Sequence, residues 1–432
     1  MTAHERYEQD LPRLLAQLAE GPRPDYRDSL VEATARASQR PAWTFPGRWL
    51  RMDITTRPVT MASVPRLPIL LFVSLTLLAA AAIGMLVASQ PKVPSPFGPA
   101  ANGIVVYGSD GDLFALDPGS TTPRPFLTGA GADSWPVFSQ QGDRVLYLRE
   151  TDGRHALWVV NADGGEPQAL SSPLVGVGAI SWSPDGTRVA VAHDDGGYPR
   201  VSVYRSDGSG GTTLEVPFQV ADPAWRPGHD GQLLVRGRET GQEYDLYLVD
   251  VETEATTSLG IPHDPRGWQQ YDGQRASWSP DGSRLMFEQG LAQLGTLGRQ
   301  VIRLRVADVA ADGTLSNVRP LELDPQSDYE YMGRWLTTGD GLAFAAQKGC
   351  TWQVYVAPGL DVAKATPVGE QFEDCTNEGI DYELSPDASR IVTVRGTANE
   401  ADPMWIGAID GTGIEPVAGT ITDVPTWQRL AP

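Results

Sequence analysis

Cysteine and histidine are scarce. The chain has two cysteines, Cys350 and Cys375, and five histidines in 432 residues. None of His4, His155, His193, His229 and His263 forms a His-Glu-x-x-His pair or a similar ligand spacing. Two cysteines without a histidine cluster nearby do not make a zinc site. No metal ligand set is expected. No Walker loop, no dinucleotide-binding glycine fingerprint and no Gly-x-Ser-x-Gly nucleophile elbow occurs. No catalytic residue and no cofactor site are therefore predicted. Basic charge is also short: 34 Lys and Arg face 54 Asp and Glu, a formal net charge of −20. That balance argues against a nucleic-acid partner and against docking flat on anionic lipid.

Charge is missing altogether from one stretch, Leu67 to Ser89. At 1.5 Å per residue a helix of this length spans roughly 34 Å, enough to cross a hydrocarbon core of about 30 Å. The sequence predicts a transmembrane helix over 67–89. Arg48, Arg51, Arg57 and Arg66 precede it against one acid, Asp53, while Lys92 is the only basic residue between the span and Arg124. The excess of Lys and Arg beside a first span stays in the cytoplasm. Residues 1–66 are expected to be cytoplasmic and the chain beyond the span extracytoplasmic, after a linker over 90–101. The apolar core starts too late for a cleaved signal peptide, so an uncleaved signal anchor is expected.

Within 1–66, Leu11, Leu14, Leu15 and Leu18 fall on one helical face. A second short helix runs from Asp25 to about Arg40, and Pro41 ends it. So little chain buries a marginal core, and the segment either folds weakly or packs on a partner. Cys350 and Cys375 lie in the outer part, where thiols oxidise. A disulfide between them is expected, closing a loop worth about 3 kcal/mol on the chain-entropy account.

The outer part repeats. Ser181-Trp182-Ser183-Pro184-Asp185-Gly186-Thr187-Arg188 and Ser277-Trp278-Ser279-Pro280-Asp281-Gly282-Ser283-Arg284 are near copies. Leu384-Ser385-Pro386-Asp387-Ala388-Ser389-Arg390 and Val137-Phe138-Ser139 onward are weaker copies, and the stretches at Trp225 and Trp335 are degenerate ones. In each, an apolar residue ends a strand, Pro and Gly shape a tight turn, and an alternating apolar run starts the return strand. These residues are assigned to turn and packing roles. Repeats of four short strands describe propeller blades. The first repeat (Gly103–Val106, Leu113–Leu116, Arg124–Leu127) lacks an opening strand, and Asp423–Gln428 supplies one. The reading is an all-β seven-bladed propeller over 102–432, closed by a split blade, with six blades as the alternative. The longest insertion, Gly290–Arg299, is the loop expected to carry binding. Asp194-Asp195-Gly196-Gly197 reads as a plain turn rather than a calcium loop.

The Trp-Ser-Pro-Asp-Gly-x-Arg signature resembles the TolB-like (WD40-like) β-propeller repeat. The resemblance covers about 330 residues and implies a protein-binding scaffold. A small helical segment, one span and an outer sensor-like domain resemble membrane-bound anti-sigma factors, and Arg40-Pro-Ala-Trp-Thr-Phe-Pro-Gly-Arg-Trp49 is similar to a segment of single-span proteins of that layout. No cysteine precedes Cys350, so the zinc signature of many anti-sigma domains is absent. The expected function is a non-enzymatic, single-pass membrane protein. Its propeller would bind an extracytoplasmic protein, peptide or glycan, and its cytoplasmic segment would engage a regulator such as a sigma factor. The alternative is a hydrolase or lactonase that uses the propeller funnel.

Overall fold

The second strand of each repeat is apolar at successive positions, as in Val145-Leu146-Tyr147-Leu148, and all four side chains are buried. Successive strand residues point to opposite faces of a sheet. A sheet built this way has to be covered on both faces, and in this chain its two neighbours cover it. The computed structural model describes residues 97–432 apart from 130, 239–243, 262–275, 295–299, 322–326, 338, 340, 374, 376–378, 396–402 and 432. The expected helical segment 1–66, the span 67–89 and residues 90–96 of the linker lie outside the described residues. Among the described residues no helix is long and apolar enough to cross a membrane.

Among the described residues the architecture is all strand, save one 3-10 turn at Val362–Lys364. Five four-stranded sheets and one eight-stranded sheet follow one another. The first combines Thr426–Leu430 with Ala101–Ser109, Asp112–Leu116 and Arg124–Leu127. Trp427 lies opposite Val105, so the two ends of the described chain meet in one antiparallel sheet. The second holds Ala132–Phe138, Arg144–Thr151, Arg154–Asn161 and Gln168–Ala169. The third holds Ile180–Trp182, Arg188–Asp195, Tyr198–Arg205 and Gly211–Thr213, and the fourth Gln219–Trp225, Gln232–Arg238, Asp245–Asp250 and Thr256–Ser258. The eight-stranded sheet has two halves, Ala276–Trp278 to Leu315–Leu321 and Tyr329–Trp335 to Thr366–Glu373. One parallel pair, Ile302 with Tyr329, joins them. The last sheet runs from Ile380–Leu384 to Glu415–Pro416. In the expected insertion, Gly290 to Leu294 continue the strand Arg284–Leu294, paired with Gln300–Val309. The stretch is therefore a hairpin extension rather than a long loop, and residues 295–299 at its tip lie outside the described residues.

The core is divided among the gaps between neighbouring sheets. Val145 and Tyr147 pack with Val106 and Leu113 of the first sheet. Leu146 and Leu148, one residue out of phase, pack with Val189 and Val191 of the third. The same exchange continues from sheet to sheet and between the halves of the large one. It ends where Val392 and Ile406 of the last sheet pack on Val105 and Trp427 of the first. The sheets thus form a closed ring.

The repeated turn is a local hydrogen-bond knot. Ser183 Oγ donates to Asp185 Oδ1 at 2.6 Å, Thr187 Oγ1 donates to Asp185 Oδ2 at 2.7 Å, and the Arg188 N–H donates to Ser183 Oγ at 2.9 Å. Ser279 with Asp281 and Ser385 with Asp387 repeat it. Burial works against ionising these three aspartates, but the hydroxyl and backbone donors win and hold all three below the usual carboxylate range. Gly282 has φ +68, and a Cβ there would come within 2.2 Å of the Pro227 carbonyl oxygen in the preceding sheet. Both facts require glycine at that turn. Ala388 occupies the matching place in the last sheet at φ 55.

The motif arginine ties three of the repeats to the next. Arg144 stacks over Trp182 at 5.8 Å, Arg188 over Trp225 at 5.1 Å and Arg284 over Trp335 at 5.3 Å. Arg144 also donates to the Ser206 carbonyl, and Arg188 to the Asp230 carbonyl at 2.6 Å. In the fourth sheet Gln232 begins the strand where an arginine begins it elsewhere. Arg226, from the turn before it, supplies the missing guanidinium. It stacks on Trp278 at 5.0 Å and donates to the Gly282, Val309 and Ala310 carbonyls at 3.0, 3.1 and 3.0 Å.

Cys350 and Cys375 form a disulfide with Cα atoms 4.4 Å apart. It fastens the start of Thr351–Ala357 to the segment after Thr366–Glu373.

Replacing Arg226 with Leu leaves three main-chain carbonyls without their charged donor. Urea denaturation of Arg226→Leu is expected to show a loss of about 3 kcal/mol. Arg154→Leu, on an exposed hairpin, should stay within roughly 0.5 kcal/mol of the parent.

Candidate functional site

Every opening strand lies against a central cavity of about 720 Å³. The strands end on a register of large apolar residues: Phe138, Trp182, Trp225, Trp278, Trp335, Leu384 and Trp427. The indole N–H of Trp182 donates to the Val137 carbonyl at 2.9 Å, that of Trp225 to Ser181 at 3.2 Å and that of Trp335 to Ser277 at 3.0 Å. Each acceptor sits one residue before the aromatic of the preceding strand. Carbonyl and indole together stitch the inner wall of the ring.

Those preceding residues form a layer that lines the cavity: Val137, Ser181, Ala224, Ser277, Arg334, Glu383 and Thr426. Five are small and uncharged. The other two, on neighbouring strands, are an ion pair, with Arg334 Nη1 2.8 Å from Glu383 Oε2. The pair lies deep in the ring, yet 36% and 24% of the two side chains remain exposed to the channel. Burial pushes the Glu383 carboxyl up, against the pull of Arg334. Burial also works against charge on Arg334, but Glu383 prevails and raises it. Asp381 lines the same side of the cavity. Among the described residues it accepts no hydrogen bond. The cavity is therefore lopsided, with room on one side and charge on the other.

Trp135 is the other conspicuous lining residue. It is 41% exposed and has φ +53 within a bulge of Ala132–Phe138. Asp222 and Met332 occupy matching bulges, at φ 52 and 55. Positive φ is thus a property of these opening strands, and only in the second sheet does it carry an exposed aromatic against the cavity. The carboxylate of Asp423 holds it there. Asp423 accepts the Trp135 N–H at 2.6 Å and the Gly108 N–H at 2.7 Å. Burial pushes the Asp423 carboxyl up to about 6, although both N–H donors pull it down. At the turn end of the channel, Phe97 lines the cavity, Arg429 donates to the Gly98 carbonyl, and the Ala100 N–H donates to the Pro386 carbonyl at 3.2 Å.

The motif residues are sorted by this geometry. Trp182, Trp278, Pro280 and Pro386 reach the cavity. Ser183, Asp185, Ser279, Asp281, Ser385 and Asp387 bond one another inside their turns, and Arg188 and Arg284 stack on the next sheet. The Arg390 N–H closes its own turn on Ser385 Oγ. Asp194 accepts the Gly197 N–H at 2.6 Å, which uses that carboxylate in a hairpin turn. His193 bonds Ser202 Oγ at 2.8 Å inside the third sheet, away from the cavity. Among the described residues no group of three His, Cys, Asp or Glu is placed to hold a metal. Sequence reasoning passed over Arg334, Asp381, Glu383, Asp423 and Trp135 as site residues. Aligning the residue before each motif aromatic would have exposed the first and third, the only charges in that register.

Asp423 and the turn aspartates titrate in opposite senses. Asp423 binds its proton more tightly in the folded chain, so its contribution to stability is present near pH 4 and is lost as pH rises through about 6. The turn aspartates contribute above their ordinary range and lose that contribution as pH falls below it. The stability difference between the parent and Asp423→Asn is expected to move against the parent by roughly 2 kcal/mol from pH 4 to pH 7. Denaturation at the two pH values measures it, and a pH-independent difference contradicts it.

No protein-family model matches the chain, and no curated protein matches it. Solved structures do. The β-propeller domain of the Trilobed protease from Pyrococcus furiosus is similar over 77% of this chain and 98% of its own, at 10% identity and a TM-score of 0.50. A prolyl endopeptidase is similar over 77% of this chain at 14% identity and a TM-score of 0.51. The chain spans about half of that enzyme's length, 49%. TolB from Acinetobacter baumannii is similar over 76% of this chain and 80% of its own, at 14% identity and a TM-score of 0.47. At these identities the likeness is one of fold, and the fold is a β-propeller.

Proposed function

We propose that this is a membrane-anchored, non-enzymatic binding protein whose TolB-like propeller takes an extracytoplasmic protein, peptide or glycan in its central channel. One observation carries the reading. Five of the seven residues in the inner layer are small, and the remaining two are a partly exposed Arg334–Glu383 pair. Small walls make space, and an exposed ion pair at the edge of that space recognises polar groups. Such a pair contributes little to stability for what it costs to desolvate.

The propeller counts seven blades when the eight-stranded sheet is divided at its single parallel pair. The apolar stretch 67–89 is the anchor, and the arginines before it place residues 1–66 in the cytoplasm. That segment engages a regulator such as a sigma factor, which makes the propeller the input side of a transmembrane sensor.

A photo-crosslinking residue tests this in the full-length chain in its native cells, placed at Ser181 in the channel layer or at exposed Gln168 on an outer edge. The expected result is a discrete adduct at Ser181 and none at Gln168. A cytoplasmic regulator should also co-purify with the full chain and be lost when residues 1–66 are deleted. Equal adducts at both positions, or none in the channel, overturn the channel reading. A regulator that stays bound without residues 1–66 overturns the sensor reading.

A further inference from the structure

The channel carries more acid than base on the side where it is charged. Asp381 and Glu383 both flank Arg334, and both favour its charged form. Glu383 is committed to the pair at 2.8 Å. Asp381, half-buried against the same cavity, accepts no hydrogen bond among the described residues. The Arg334 guanidinium is already paired with Glu383, so this edge of the cavity has one carboxylate to spare. A carboxylate partly removed from water is stabilised by a cation that brings its own donors.

A further feature narrows the chemistry. Trp135 puts an exposed indole against the same cavity, at a backbone conformation that an L-residue adopts only under constraint. Indole faces attract guanidinium and ammonium groups and also pack their aliphatic stems. Cation and aliphatic stem occur together in a peptide segment bearing Arg or Lys. The chain's net charge of −20 draws such a segment toward it.

We propose that the propeller channel binds a basic peptide segment, with an Arg or Lys side chain paired to Asp381 and stacked at Trp135. This rests on the reading of the channel as a binding site and names its ligand class. A neutral glycan supplies no cation, and an acidic peptide meets Asp381 with like charge.

The test uses the full-length chain and three pools of capped hexapeptides in a Gly/Ser background, bearing Arg, citrulline or Glu at one position. Quenching of tryptophan emission reports binding. The Arg pool is expected to bind at least about tenfold more tightly than the citrulline pool, ~1.4 kcal/mol. That advantage should shrink with added salt and fall to within about twofold in Asp381→Asn. Citrulline has almost the shape of arginine without its charge, so the ligand-side comparison stands even where the variant folds poorly. Equal affinity for Arg and citrulline overturns the charge assignment and leaves the channel as a binding site. Tighter binding of the Glu pool does the same. Quenching by no pool overturns the basic-peptide proposal, and the Ser181 crosslink then decides separately whether the channel binds anything else.

Discussion

A sheet that is apolar on both faces cannot stand alone in water, and most of this molecule follows from that. Val145 and Tyr147 face one neighbour while Leu146 and Leu148 face the other. Every sheet therefore needs two partners, and a row of such sheets is satisfied only by closing on itself. The antiparallel pairing of Ala101–Ser109 with Thr426–Leu430 performs the closure. Guanidinium stacking adds direction to it. Arg144, Arg188 and Arg284 reach forward onto the next tryptophan, and for the first two cation–π contact and carbonyl hydrogen bonds act across the same gap. Arg226 fits the pattern although the local sequence does not. The guanidinium arrives from a different backbone position and finds the same kind of partners.

Closure leaves a hole in the middle, and the hole is where the chain has freedom to vary. Residues that stitch the ring face the gaps or donate from indole nitrogens. Apart from Thr426, whose hydroxyl accepts the Phe138 N–H at 3.1 Å, the residues just before the aromatics turn their side chains to the channel and leave the stitching to their main-chain carbonyls. Their side chains range from alanine to arginine with the stitching intact. A charged pair in that layer is a choice the fold does not require, which is why it points to recognition rather than to architecture.

The sequence was legible wherever the chemistry was local. Ser183, Asp185 and Thr187 bond one another within a few residues, so the turn could be read from the motif alone. The alternating runs gave the strands, and the missing opening strand of the first repeat pointed to the pairing with Thr426–Leu430. Readability failed where partners are distant. Arg334 and Glu383 belong to separate repeats, and neither stands out beside its own neighbours. Asp423 was visible as part of a closing strand, but its bond to the Trp135 N–H joins residues near opposite ends of the described chain. Gly290–Leu294 misled for another reason. The stretch is strand, and its length reflects an extended hairpin rather than an irregular loop.

The split first sheet also sets an order of assembly. During synthesis the strands from Ala101 to Leu127 emerge early but have no inner partner until Thr426–Leu430 is made. Such distant pairing carries a high loop-closure cost, and chains of this topology fold slowly. Asp423 lies just before that late strand and alone among the carboxylates holds the Trp135 backbone. The aromatic at the channel wall is thus fixed by a residue made almost 300 positions after it. A half-made chain presents sheets but no finished recess, and the capacity to bind arrives only when the ring is shut.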